Sequence, residues 1–284
     1  MSNCYNLKKI IFDDPIFMKN LLTTYIIHLE NNGRYSNIMD QLNKYNITYE
    51  NNILLNKGYK KCKKVLTEQL PKYDLIDSYY YIFNDAYKKN YEYVLILEDD
   101  FIFDDNIKNK KYIDDITLFL LNSIDTNFVF ALGVLPIMLF PYNFNINYIL
   151  LGGGTHAMIY SRKFIEYTLN YNKFLIKDWD IYLRFNAMKY TYYKPLCYQL
   201  FPETDNSNNW GTVIGINYNT IYQPFIHYFE LDKKIDGYKY FYIFSKILTM
   251  VLLLIIIYLI ITYMYKINFN LKVKVKLKKN FEMI

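Results

Sequence analysis

Three short apolar runs set the rhythm of the chain: TYIIHL at 24–29, VLIL at 94–97 and FVFALGV at 128–134. Each is short and continuous, as in a strand covered on both faces. Between them, apolar residues recur every three or four positions. Ile38, Met39, Leu42 and Tyr45 mark a helix over 34–45, and Leu75, Ile76, Tyr79, Phe83 and Tyr87 mark another over 74–88. Ile116, Leu120 and Ile124 mark a third over 113–124. A short strand is predicted at 47–49. The Lys-rich stretch 58–70 is predicted as a half-exposed helix stopped by Pro71. Residues 1–22, where Lys8, Lys9, Asp13 and Asp14 break up the apolar positions, are expected to form an irregular or helical lead-in. Further on, strands are predicted at 148–151 and 156–160, flanking Gly152, Gly153 and Gly154. Ser161 and Asp178 are placed to cap the two helices that follow. Strand character returns at 192–200, and 203–209 reads as a polar loop. Strands alternating with helices predict an α/β fold with a parallel sheet between covering helices.

The pattern changes at 247–265. No charge interrupts this run between Lys246 and Lys266, and a dozen of its residues are Leu, Ile or Val. Insertion values for those residues sum to on the order of −5 kcal/mol, and the length nearly matches the hydrocarbon core of a bilayer. One C-terminal transmembrane helix is therefore expected. The chain divides into a lead-in at 1–22, a catalytic domain at 23–240, the helix at 246–265 and a basic juxtamembrane tail at 266–284. Six lysines follow the span, but Lys233, Lys234, Lys239 and Lys246 precede it, so the positive-inside comparison leaves both orientations open. No apolar leader is visible at the N-terminus, which favours a cytosolic domain over a lumenal one.

Composition changes this picture little. The formal net charge is +6, but Lys266, Lys272, Lys274, Lys276, Lys278 and Lys279 all lie in the tail. The excess is local, so a lipid membrane is the expected partner and nucleic acid is not. The three cysteines, Cys4, Cys62 and Cys197, have no paired or metal-type spacing and read as plain thiols. Asn46, Ile47 and Thr48 form a glycosylation sequon.

The chemistry lies at the end of the second apolar run. Glu98, Asp99, Asp100, Asp104 and Asp105 follow it closely. Like charges at one strand end raise one another's pKa, and a hard divalent cation relieves that cost. Side chains alternate along a strand, which puts Glu98 and Asp100 on one face with Asp99 pointing away. Glu98 and Asp100 are thus candidate ligands for Mn²⁺ or Mg²⁺, with His227 as a candidate third. Arg34 is a candidate for nucleotide or phosphate, as are Gly153 and Gly154, which permit close backbone approach. His156 is a candidate donor contact. Asp178 and Asp180 are candidate general bases, Asp180 being favoured because Asp178 is placed to cap a helix.

Five segments in order, TYIIHLENNGR (24–34), YVLILEDDF (93–101), LGGGTHAMIYSRKFIEYTL (151–169), KDWDIYL (177–183) and YQLFPETDNSNNWG (198–211), resemble glycosyltransferase family 25, which includes lipopolysaccharide and collagen galactosyltransferases. The likeness covers about 24–211. It departs at His28, where the family has Asn, and at Ser78-Tyr79, where it often has Ser-His. The resemblance implies a GT-A type, Rossmann-like mixed sheet, a UDP-sugar donor, inversion at the anomeric carbon, and transfer of a hexose to a glycan or protein acceptor. Gln199 and Ser207 match its late segment. Two other readings use the same residues: a metal-dependent nucleotidyl or phosphoryl enzyme with Asp178 and Asp180 as its second acidic cluster, and a degenerate fold tethering partners to a membrane.

Overall fold

The computed structural model describes residues 4–200 and, beyond them, 212–213, 216–217, 220, 224, 227–231 and 236–281. The expected loop at 203–209, with Ser207, lies outside the described residues.

Nine strands form one mixed sheet in the order β1-β3-β2-β4-β9-β6-β10-β8-β7. Its centre is β2 (Leu22–Leu29), β4 (Tyr93–Glu98), β9 (Ala157–Ser161) and β6 (Phe128–Ala131). β2 runs parallel to β4 and to β3 (Glu50–Asn56), whereas β9 runs antiparallel to both β4 and β6. The sheet is therefore mixed rather than parallel throughout. Alternation along β4 shows why its apolar run is continuous. Leu95 and Leu97 enter one core with Ile38 and Leu42 of α1 (Tyr35–Tyr45) and Ile116 of α3 (Lys110–Asn122). Val94 and Ile96 enter the other, with Phe83 of α2 (Pro71–Lys88), Phe164 of α4 (Arg162–Leu169) and Trp179 of α5 (Trp179–Asn186). Both faces of the strand are covered, so none of its apolar positions can be polar.

Several expectations are corrected. Residues Tyr5–Ile11 form an edge strand, β1, paired antiparallel with β3, not an irregular or helical lead-in. Its Lys8 and Lys9 suit an edge, where charge discourages pairing with other chains. The second strand begins at Glu50 rather than Ile47. Its asparagines hid it, yet Asn51 and Asn56 are buried and satisfied: Asn51 Nδ2 donates to Thr48 O at 2.7 Å, and Asn56 Nδ2 to Ser78 Oγ at 3.1 Å. Residues 58–70 are one turn, bends and irregular chain, not a helix. Pro71 opens α2 at its first turn, where a missing N–H costs nothing. The strand at 128–134 stops at Ala131, and the region 192–200 divides between β10 (Met188–Tyr192) and β11 (Cys197–Gln199). β7 (Leu135–Pro141) went unread because prolines punctuate it, which an edge strand tolerates. It forms a hairpin with β8 (Ile146–Gly153).

The cysteines are not all thiols. Cys4 and Cys62 are joined in a disulfide, with Cα atoms 5.6 Å apart, while Cys197 is a buried free thiol. The sequon is folded away: Thr48 is wholly buried and Asn46 ends α1 in the left-handed conformation. The last helix, α6, spans Asp236–Phe281. Its portion Tyr238–Ile267 is long and apolar enough to cross a membrane.

Candidate active site

β4 ends at Glu98, and the three carboxylates at that point go to different places. Asp99 turns toward the end of β2, as alternation predicts. Its Oδ1 accepts from Arg34 Nη1 at 2.7 Å, and its Oδ2 from Leu29 N at 3.2 Å, His28 Nδ1 at 3.1 Å and the Asn32 amide. Burial works to raise its pKa. The His28 hydrogen bond, the Arg34 charge and the Asn32 amide outweigh burial, and the carboxyl sits below the usual range. Arg34 is therefore neither a loose surface charge nor a free anion ligand; one edge of its guanidinium is fastened to Asp99.

Glu98 and Asp100 face the other way. Glu98 Oε1 accepts from Thr155 Oγ1 at 2.6 Å and from Tyr79 Oη at 3.1 Å. Asp100 Oδ2 accepts from Gln199 Nε2 at 3.0 Å, and its Oδ1 is buried with no hydrogen-bond partner. Burial pushes both carboxyls well above the usual range, reinforced at Glu98 by the charges of Asp180 and Asp99, and at Asp100 by those of Glu98 and Asp99. An orphaned buried carboxylate oxygen is costly unless something fills the position.

Asp180 belongs to the same electrostatic group, since its charge is felt at Glu98. It lies in the first turn of α5, and its Oδ1 accepts from Gly154 N at 3.2 Å. Burial, then the charge of Asp178, push its pKa up to about 6, against the pull of Lys189. Asp178 caps the helix, its side chain accepting from Ile181 N at 2.9 Å. Asp178 thus caps its helix, as its position in the sequence predicts.

An aromatic frame sets these positions. Tyr79 of α2 stacks on Trp179 of α5, with centroids 4.5 Å apart, and lies edge-on to Tyr160 of β9. Trp179 Nε1 donates to Tyr160 Oη at 3.2 Å. The frame ties the hydroxyl that meets Glu98 to the helix that carries Asp180. Tyr79 therefore supplies a contact of its own to Glu98.

The remaining candidates divide. Gly154 has φ +99°, a conformation that favours glycine, and a Cβ there would lie 3.3 Å from His156 Nδ1. A Cβ on Gly153 would meet nothing within 4 Å. His156 is fully buried behind the strand end. Its Nε2 lies 3.5 Å from Cys197 O, its Nδ1 has no partner, and burial pushes its pKa down to about 4. It is a neutral ring inside the wall. His227 is exposed, and among the described residues no three His, Cys, Asp or Glu side chains are gathered as a metal group. The expected Glu98, Asp100 and His227 shell does not form. Asp104 and Asp105 also leave the cluster: Asp104 accepts from Tyr198 Oη at 3.0 Å, and Asp105 pairs with Lys44 at 3.0 Å.

Sequence reasoning missed Tyr79 and Thr155 as Glu98 partners, and Gly133. A Cβ on Gly133 would lie 1.7 Å from Cys197 O, so only glycine lets β11 bring Gln199 to Asp100. Cysteine, glycine and glutamine so far apart in sequence give no local signal of this contact. Beside the Asp99 cradle, a cleft of about 490 Å³ is lined by His28, Gly33, Tyr35, Ser36 and others.

No protein-family model matches this chain, and no curated protein matches it. Among solved structures, one described as a glycosyltransferase involved in the glycosylation of the major capsid of PBCV-1 is similar over 65% of this chain and 95% of that one, with 12% identity and a TM-score of 0.35.

Proposed function

We infer that this chain is a cation-dependent inverting glycosyltransferase that moves a hexose, galactose or glucose, from a UDP-sugar to a hydroxyl of a glycan or protein acceptor. The observation that carries this is the buried Asp100 Oδ1 without a partner, beside a second raised carboxylate at Glu98. Hard carboxylate oxygens suit Mn²⁺ or Mg²⁺, and Mg²⁺ is commonly held by one or two carboxylates, with waters and substrate phosphates completing the shell. Glu98 and Asp100 would hold the ion, which when bound offsets the charge on a departing diphosphate.

The chain's own groups do the rest. Asp99 holds Arg34 by one guanidinium nitrogen, between Gly33 and Tyr35 in the chain, both of which line the 490 Å³ cleft; the rest of the guanidinium is then left for the donor's phosphates. Asp180 takes the proton from the acceptor hydroxyl. With a pKa pushed up to about 6 it is ionised at neutral pH yet more basic than an ordinary aspartate, which is what a general base requires. Its anchor, Gly154 N, holds the carboxylate in one orientation. His156 supports the wall rather than touching the donor. The two-cation phosphoryl reading would need a second acidic cluster, and Asp178 is engaged as a helix cap.

The disulfide supports a revised topology. Such bonds persist in oxidising compartments, so our reading puts the domain on the oxidising side and the Lys-rich tail in the cytosol, with six lysines after the span against four before it. Protease digestion of sealed vesicles tests this: cleavage of the domain from the cytosolic face rejects it.

The test of function is a donor screen with the full chain in detergent. UDP release from one nucleotide sugar, dependent on Mn²⁺ and on an added acceptor, is expected. Release of pyrophosphate or inorganic phosphate instead would establish the nucleotidyl or phosphoryl alternative.

A further inference from the structure

The first turns of α6 are not a free stalk. Tyr238 Oη meets Gln199 N at 3.3 Å, and Tyr238 packs in one cluster with Leu135 at the start of β7. Tyr242 Oη meets Thr191 Oγ1 at 2.9 Å, Lys246 Nζ donates to Tyr193 O at 3.0 Å, and Leu139 N donates to Thr249 Oγ1 at 3.1 Å. Contacts thus move along β7 from Leu135 to Leu139 as the helix advances from Tyr238 to Thr249. Eleven helical steps cover about 16 Å and four strand steps about 13 Å, so helix and strand run side by side in the same direction. From Met250 to Ile267 the helix is exposed except at the half-buried Leu252 and Leu253. Those residues span about 27 Å, close to the thickness of a hydrocarbon core. The level of Thr249 and Leu139 is therefore the level at which the helix would enter the bilayer.

β7 does not stop at that level. It continues to Pro141 and turns, with Tyr142 N bonded to Ile146 O, before β8 returns. Tyr193, whose carbonyl accepts from Lys246 Nζ, donates its own N–H to Asn145 O at 2.8 Å, which sets the turn beside Lys246, close to the entry level. The turn is PYNFN, without charge. Phe140, Tyr142 and Phe144 are exposed there, Phe144 completely. Tyr142 is braced from behind by Phe119 and Tyr190, at 6.0 and 5.1 Å. Lys194 and Lys246, both turned to Tyr193, flank the same end. Aromatic side chains with lysines beside them are the composition of a membrane–water interface.

We propose that the β7–β8 turn, through Phe140, Tyr142 and Phe144, inserts into the interfacial layer of the bilayer that α6 crosses, so that the domain is seated on the lipid at two points and its active site is held at a fixed height above it. This rests on α6 being a membrane span. One helix alone leaves a domain free to swivel; a second contact on the same rigid edge removes that freedom. The acceptor that such a seated site can reach is one presented close to the membrane surface.

The test is spin labelling of the full chain in phosphatidylcholine vesicles. Phe144→Cys gives an accessible thiol, since Cys197 is buried and Cys4 is bonded to Cys62; Met18→Cys, exposed elsewhere, is the control. At 144 the label should collide more with lipid-soluble oxygen than with a water-soluble nickel chelate, and at 18 the order should reverse, several-fold in each case. A label at 144 that favours the nickel chelate, in protein that resists carbonate extraction, overturns the inserted turn and leaves the anchor standing. Protein recovered in the carbonate-soluble fraction overturns the anchor and the seat together. Exclusion of both reagents with spin–spin broadening assigns this face to a second copy of the chain and overturns the lipid contact.

Discussion

Asp99 and Asp100 are neighbours in sequence, both nearly buried, and held in opposite ways. Asp99 accepts four hydrogen bonds, one from a guanidinium, and its pKa is lowered. Asp100 accepts one from Gln199, keeps one oxygen unpartnered, and its pKa is raised. The first is a finished structural site. The second is an unfinished one, in which burial and the charge of Glu98 outweigh the Gln199 hydrogen bond and the charge of Arg34. Two carboxylates one residue apart therefore differ in hydrogen bonding and in pKa because the pleat sends them to opposite surroundings.

The contrast can be broken most severely at Asp100. Asp100→Asn should abolish Mn²⁺-dependent UDP binding in calorimetry while leaving the fold intact, and unchanged affinity would place the cation elsewhere. Next comes the base. Asp180→Asn should lower turnover about 10²–10⁴-fold with UDP affinity kept, and the wild-type rate should fall as pH drops through about 6, where Asp180 becomes protonated. Full turnover in the variant would remove α5 from the mechanism.

Asp99 should answer differently. Asp99→Ala leaves Arg34 and His28 without their partner and should cost about 3 kcal/mol in urea unfolding, a loss that Asp100→Asn should not share. Titration sharpens the same point. Asp99 has a folded pKa below its unfolded one, so its contribution is present at neutral pH and is lost as pH falls through the folded value. Glu98 and Asp100 have folded values above their unfolded ones, so their contribution is present in acid and is lost as pH rises toward neutrality and beyond. Added Mn²⁺ should recover that second loss and leave the first unchanged; denaturation midpoints across pH with and without the ion measure both. The smallest effect is expected at Asp178, where Asp178→Ala removes a helix cap worth about 1 kcal/mol and should alter stability more than turnover.

How much of this was legible differs by element. β4, β2, α2 and the caps at Ser161 and Asp178 were readable because a hydrophobic period or a capping residue is a local signal. The separation of Asp99 from Glu98 and Asp100 was readable for the same reason. β1, β3 and β7 were not, since Lys, Asn and Pro in those strands are tolerated only by edge positions or by partners from distant segments. The Cys4–Cys62 bond has a spacing of 58 residues, and no sequence rule pairs them.

The sequence by itself determined an α/β chain with an acidic strand end and an apolar helix near its C-terminus, because alternation, helical periodicity and uninterrupted length are properties of neighbouring residues. Only the tertiary structure decided which carboxylate is satisfied and which is not. It also decided that Tyr79, Thr155 and Gln199 reach the strand end, that His156 is walled in, and that the last helix is fastened along β7. Each of those depends on which distant segments the sheet brings together, and burial and hydrogen bonding act through that proximity rather than through order along the chain.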